Sequence, residues 1–199
     1  MIRPLLAAFA VASVMAVSHQ TAQPPAGIPP PSGQPTRVNA DALLSVQFLK
    51  RIEDYVALHK KLEATLPPRP EHPTPAQLDR HATALARMIA EARSHAKQGD
   101  LLPQDTRAYL RRQIARALAG PDGAEMRRSI MEENPGKVQL RVNGRYPEGV
   151  PVTTMPPPIL AALPRLPDDV EYRFIGQRLI LLDVHAQVVA DYMDAAIQQ

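Results

Sequence analysis

Two residues near the C-terminus have the types and spacing of a chemical site. Asp183 and His185 are two positions apart, and residues i and i+2 share one face of an extended strand. A carboxylate and an imidazole on one face can bind a metal ion, or act as a base with its orienting partner. Alternatively, Asp183 caps a following helix through the backbone amides of His185 or Ala186. Because capping explains the aspartate without any ligand, it is the preferred interpretation.

A second candidate metal site combines residues from two predicted helices. Glu91 and His95 are four positions apart, which places them on one helix face. His59, on the preceding helix, supplies a third ligand if the two helices pack antiparallel. A closed structural zinc site needs four ligands, so we expect His59 to be a partly buried core residue and the other two a surface pair. The sequence therefore predicts no metal and no other cofactor.

Arginines on one predicted helix could form an anion-binding surface. They lie in two rows with i,i+4 spacing, and the four are Arg107, Arg111, Arg112 and Arg116. Arg111 and Arg112 are the candidates for contact with an anionic surface or an acidic partner protein. The ordinary alternative is a solvated helix face that pairs with nearby carboxylates.

The composition excludes several classes of function. The 199 residues include no cysteine, so disulfides, thiolate nucleophiles and cysteine-bound zinc are excluded. A net charge of +3 and 4% aromatic residues do not indicate nucleic-acid binding. Phosphate-loop, dinucleotide, zinc-protease and serine-hydrolase motifs are missing. We therefore expect a non-catalytic binding or interaction domain. A metal-dependent or acid/base hydrolase is the second hypothesis, and an envelope structural protein that contacts anionic surfaces is the third.

The N-terminus has the pattern of an export signal. Arg3 precedes an uncharged, mainly apolar stretch over residues 5–17, which is shorter than the roughly 20 residues of a membrane-spanning helix. We expect residues 1–18 to be a cleaved signal peptide, with no transmembrane segment left in the exported protein. Residues 19–38 then form a proline-rich tether, since residues 23–36 hold six prolines and no charge. The predicted location is periplasmic or extracellular.

The rest of the chain predicts a single α+β domain over residues 39–199. The apolar period is close to 3.6 in residues 39–134 and changes to 2 in the part from 137 to 199. The predicted helices cover residues 41–65, 75–98, 103–118, 122–133 and 184–197, with one helical turn near 159–163. The predicted strands cover residues 137–143, 170–175 and 178–183, in a small, mostly antiparallel sheet. Whether the proline-rich segment 147–167 covers a pocket is left open.

Two of these elements have strong local signals. Thr74, Pro75 and Gln77 form a capping box with proline at the first helical position. Gly176 lies at the first central position of a two-residue hairpin turn, which is typical of a type II′ turn. In that register Phe174 and Tyr172 lie opposite Leu179 and Leu181.

Part of the chain resembles a known group of proteins. The segments FLKRIEDYVALHKKLEATLPP and EENPGKVQLRVNGRYPEGVPVTTMPPPILAALPRLPDDVEYRFIGQRLILLDVHAQVVADYM are similar to a family of uncharacterised exported bacterial proteins. The family has no assigned activity, cofactor or site, so no residue role follows from it. The resemblance implies export and a bacterial envelope setting.

Overall fold

A computed structural model of the chain describes residues 37–132, 138–151 and 154–198. The contacts within the chain define two units, Met1–Gln34 and Pro35–Gln199, and every described residue belongs to the second. The predicted signal peptide, and the predicted tether as far as residue 36, lie outside the described residues.

Within these ranges, helices come first and a small sheet comes last. The helices are α1 (Arg37–Glu63), α2 (Pro75–Ala92), α3 (Gln104–Ala117), α4 (Gly123–Glu132) and α5 (Pro157–Ala162). The strands are β1 (Val170–Ile175), β2 (Arg178–Asp183) and β3 (Val188–Met193), in the order β1-β2-β3 with both pairs antiparallel. None of these helices carries an apolar stretch long enough to cross a bilayer. Helices followed by an antiparallel sheet confirm the coarse α+β prediction, although α1 begins inside the predicted tether.

The start of α2 follows its local sequence signal. The Thr74 hydroxyl accepts a hydrogen bond from the backbone N–H of Gln77, and the Gln77 side chain accepts one from the Thr74 N–H. Pro75 occupies the first helical position, where its missing N–H removes no helical hydrogen bond. The capping box is therefore confirmed. The helix nevertheless ends at Ala92, because the chain then turns so that the amides of residues 99, 101 and 102 donate to the buried carboxylate of Asp191.

The hairpin β1–β2 is also confirmed, including its register. Phe174 lies opposite Leu179, and Tyr172 lies opposite Leu181. Gly176 has a φ of 56°, in the left-handed region that glycine enters without a steric penalty.

The predicted final helix over residues 184–197 is wrong, since this segment forms a turn and β3. Val184, Val188 and Tyr192 are four residues apart. Residues with that spacing lie on one face of a strand as well as on one face of a helix. The intervening residues 189–191 are also buried. Four consecutive buried residues do not fit a one-sided helix, but they suit a strand that is covered on both faces.

The predicted strand over residues 137–143 is not found in its described part, residues 138–143. The chain turns at Asn143, which has a φ of 59°, and only beyond that turn does Arg145 form a single antiparallel bridge with Val188. The alternating apolar residues still pack against the outer face of the sheet, namely Val138 and Leu140. The alternation correctly predicted that every second side chain packs against the protein, but the segment does not pair with a neighbouring strand.

The sheet separates two apolar clusters. The larger cluster lies between the sheet and the helices and includes Phe48 and Ile52 of α1 and Leu110 of α3. The smaller cluster covers the other face and includes Tyr146 and Ile180. Because α1 packs along the inner face, its C-terminal turns reach the end of β2. Several buried polar side chains meet there.

Candidate functional site

Imidazoles and carboxylates converge where the C-terminal turns of α1 meet the end of β2. Tyr55, His59 and Glu63 follow one another at four-residue intervals on α1, so they share one helix face. Asp183 is the last residue of β2, and His185 lies in the turn to β3. His59 and Asp183 are 124 residues apart in sequence, so packing of α1 on the sheet creates the cluster.

Asp183 is fully buried and accepts four hydrogen bonds. One carboxylate oxygen accepts from the backbone N–H of His185 (3.1 Å) and of Ala186 (2.9 Å). The other accepts from the Tyr55 hydroxyl (2.7 Å) and from Nδ1 of His59 (2.6 Å). The two amides are those of the predicted helix cap, although here they belong to a β2–β3 turn. Because a carboxylate only accepts, Nδ1 of His59 carries a proton and its Nε2 faces the remaining cluster.

Glu63 lies among three imidazoles. Its Oε2 atom is 3.2 Å from Nε2 of His59 and 3.3 Å from Nδ1 of His185. Its Oε1 atom is 3.0 Å from Nε2 of His81 on α2 and 3.6 Å from the guanidinium of Arg69. The rings of His59 and His185 lie 5.3 Å apart between centroids. Oε2 of Glu63 therefore faces two imidazole nitrogens, while Oε1 contacts His81 and Arg69.

Asp169, just before β1, brings a second carboxylate to the same place. It can offer an oxygen within 4.8 Å of donor atoms from both His59 and His185, whose own atoms are equally close to each other. Its side chain is largely buried and lies 3.2 Å from the ammonium of Lys60. His59, His185 and Asp169 therefore have donor atoms close enough to share one ion, and Glu63 contacts both of these imidazoles.

The electrostatics of the cluster favour charged forms of both acid and base. Burial works against a charge on Glu63, but hydrogen bonds from His81 and His185 and the nearby imidazoles lower its pKa to about 2. Burial also opposes a charge on His59, yet the bonds and charges of Asp183 and Glu63 outweigh it and raise the pKa of His59. Burial and the charge of Asp183 raise the pKa of Tyr55 well above its usual value, so Tyr55 stays a hydroxyl donor.

These shifts predict how the stability of the metal-free protein depends on pH. A lowered carboxyl pKa contributes stability that is present above about pH 4.5 and is lost as the pH falls towards 2. A raised histidine pKa contributes stability below about pH 6.5 that is lost as the pH rises through the folded pKa. We expect Glu63→Gln to reduce the acid-side loss by on the order of 1 kcal/mol, measured by urea unfolding in EDTA from pH 3 to 7. Glu91→Gln is the control, and an equal acid dependence in both variants would contradict the assignment.

The predicted combination of His59 with Glu91 and His95 does not form. Glu91 and His95 are exposed near the end of α2, where Glu91 pairs with Arg87 at 3.7 Å. His59 is fully buried and contacts Asp183 and Glu63 instead. The structure therefore brings His59 together with Asp183 and His185, the two residues of the other predicted site.

The two candidate arginines make contacts within the fold. Arg111 donates to the backbone carbonyls of Asp194 (2.8 Å) and Ala195 (2.9 Å) and so fastens the segment after β3. Arg112 pairs with Asp41 near the start of α1. Both guanidinium groups thus have intramolecular partners, which favours a structural role over an anion-binding face.

Sequence reasoning missed Glu63, His81, Asp169 and Tyr55. A local signal existed for two of them, because Tyr55 and Glu63 lie four residues before and after His59 on the same predicted helix face. Asp169 and His81 had no such signal, since only the packing of β1 and α2 brings them to the cluster.

The chain matches no protein-family model, no curated protein and no solved structure.

Proposed function

We propose that the protein is an exported, non-catalytic binding domain whose ligand is a divalent transition-metal ion. The ligands are His59 Nε2, His185 Nδ1 and Glu63 Oε2, with Asp169 at the fourth position. The spacing of these atoms carries the proposal, since Oε2 is 3.2 and 3.3 Å from the two nitrogens. In a tetrahedral zinc site with bonds of about 2.0–2.1 Å, neighbouring ligand atoms are about 3.3 Å apart.

The outer contacts support a metal site over a simple network of ion pairs. A metal-binding histidine commonly donates its other ring N–H to a carboxylate, which fixes its tautomer. Asp183 makes this contact with Nδ1 of His59 at 2.6 Å. The carboxylate of Glu63 is held in a similar way, because Nε2 of His81 lies 3.0 Å from its Oε1 atom. Its Oε2 atom is then left to bind the ion.

The donor atoms define the class of metal. Imidazole nitrogen suits zinc, copper, nickel and iron, whereas magnesium and calcium prefer sites made of oxygen alone. His59 is fully buried and its Nε2 faces Glu63, so this nitrogen is better placed to hold an ion than to take a proton from a substrate. Binding rather than hydrolysis is therefore the function that we propose.

Export rests on the sequence. Residues 1–18 have the pattern of a signal peptide, and the resemblance to exported bacterial proteins points the same way. A cysteine-free set of ligands is also unaffected by an oxidising compartment.

Zinc titration of the purified protein tests the proposal. We expect one zinc ion per chain by isothermal titration calorimetry, and His185→Ala should weaken binding by at least about a hundredfold, because it removes a direct ligand. At about 100 times Kd, zinc should raise the melting temperature by roughly 5–10 °C. His95→Ala is the matched control, since it removes an exposed histidine that lies outside the cluster. Equal zinc affinity in the two variants would contradict the proposal.

A further inference from the structure

The four proposed ligands differ in their access to solvent. The side chain of His59 is fully buried, and that of Glu63 is 20% exposed. Asp169 and His185 form part of the lining of a cavity of about 580 Å³, together with residues of α1 and residues 165–168. Zinc with six waters occupies roughly 200 Å³, since each water takes up about 30 Å³, so the hydrated ion fits. An ion that enters through this cavity therefore meets Asp169 and His185 first.

A second route to the cluster is less favourable for a cation. Of the four proposed ligands, only His185 lines the cavity of about 450 Å³ on that side. Arg69 and Arg145 line this cavity as well, and their positive charges repel a cation. Asp79, the carboxylate among the described residues of its lining, already pairs with Arg145 at 2.9 Å. The cavity beside Asp169 is therefore the better path for the ion.

Lys60 lines the cavity beside Asp169 and holds one of the proposed ligands. Its ammonium lies 3.2 Å from Oδ2 of Asp169. An ammonium and a divalent cation are both attracted to a carboxylate and repel each other, so they compete for Asp169. The Lys60 side chain is 63% exposed, and its flexible stem lets the ammonium move while α1 stays in place.

Asp168 offers the ammonium of Lys60 a second partner. It is exposed, lines the same cavity and forms no ion pair with any residue in the described ranges, Arg165 of the same lining included. Because Asp168 precedes Asp169, the two Cα atoms are only about 3.8 Å apart. Glu53, another carboxylate of the lining, starts about 10 Å away along α1, since seven residues separate it from Lys60. Asp168 is therefore the nearer alternative.

We infer that Lys60 controls the exchange of the metal ion through this cavity. Without an ion, its ammonium pairs with Asp169. Zinc displaces the ammonium, which then pairs with Asp168, and the return of the ammonium to Asp169 promotes release of the ion. This inference rests on the proposed function, because it needs an ion at the cluster. The domain is then a carrier that takes up and releases its ion, rather than a fold that holds zinc permanently.

Replacement of Lys60 tests the inference. Lys60→Met keeps most of the apolar stem and removes the charge. We expect zinc affinity to rise about three- to fivefold, because the competing ammonium is gone. Release of zinc to an excess of chelator, followed by stopped-flow mixing, should slow at least about threefold.

Lys61→Met is the matched control for this variant. It removes an exposed lysine that is not part of the cavity lining, so we expect affinity and release rate to stay at the values of the parent protein. Equal behaviour of the two variants would overturn the inference. Weaker zinc binding by Lys60→Met would overturn it too, since Lys60 would then orient Asp169 instead of competing with the ion.

A double-mutant cycle tests the second position of the ammonium. Asp168→Asn should weaken zinc binding about two- to threefold in the parent protein, because the displaced ammonium loses its partner. In the Lys60→Met background the same substitution should change zinc affinity by less than about 1.5-fold, since no ammonium then needs a partner. Equal effects of Asp168→Asn in both backgrounds would overturn the exchange of Lys60 between the two aspartates.

The metal site and the role of Lys60 can fail separately. A parent protein that binds no zinc, together with variants that bind none, overturns both proposals. Zinc that binds with the same affinity and the same release rate in the parent protein, Lys60→Met and Lys61→Met overturns only the role of Lys60. The metal proposal then stands.

Discussion

Asp183→Asn should lower the free energy of unfolding by about 3 kcal/mol or more and weaken zinc binding about 10- to 100-fold. The native carboxylate is buried and accepts four hydrogen bonds, two of them from the side chains of Tyr55 and His59. An asparagine has one acceptor oxygen and turns an N–H₂ donor towards groups that are themselves donors. The stability loss comes from unpaired buried groups, and the affinity loss comes from a misoriented His59 ring.

Asp191→Asn is the matched control. Asp191 is also fully buried and accepts hydrogen bonds from the amides of Gly99, Leu101 and Leu102, but those amides lie outside the zinc cluster. We expect a comparable loss of stability in urea unfolding with zinc affinity unchanged. If Asp183→Asn does not fold, Tyr55→Phe removes only one hydrogen bond and should weaken zinc binding a few-fold. Zinc affinity unchanged in Asp183→Asn, or in Tyr55→Phe where Asp183→Asn does not fold, would contradict the role given to Asp183.

Glu63→Gln should weaken zinc binding by at least about a hundredfold at pH 7. The substitution keeps the size of the side chain but replaces an ionised carboxylate, whose pKa is about 2, with a neutral amide. A neutral oxygen is a much poorer ligand for zinc, and the charge that offsets the ion is lost as well. Competition of the protein with a fluorescent zinc chelator measures the change.

Glu91→Gln gives the comparison for this prediction. Glu91 is an exposed carboxylate on α2 that pairs with Arg87, and its loss should leave zinc affinity within about twofold of the parent protein. Circular dichroism of both variants shows whether the fold is retained. Two variants that bind zinc equally well would remove Glu63 from the site.

Local signals in the sequence predicted the local structure correctly. The capping box at Thr74 and the hairpin turn at Gly176 depend on residues that are neighbours in sequence, so no tertiary information is needed. The apolar spacing of residues 184–197 failed because Val184, Val188 and Tyr192 fit a helix and a strand equally well. The burial of both faces of the sheet is what distinguishes the strand from the helix.

The site could be predicted only in pieces. Asp183 and His185 were recognised as a pair, and His59 as a residue on the buried face of α1. Their meeting depends on how α1 packs against the sheet, which no local spacing encodes. Glu63 was within reach, because its four-residue separation from His59 places both on one helix face.

Anomalous diffraction from zinc-soaked crystals at the zinc absorption edge tests the central claim most directly. The account predicts one strong peak about 2.0–2.2 Å from His59 Nε2, His185 Nδ1 and Glu63 Oε2. The peak should be absent from crystals of the Glu63→Gln variant. A peak at another site, or no peak at this cluster in the parent protein, would contradict the account.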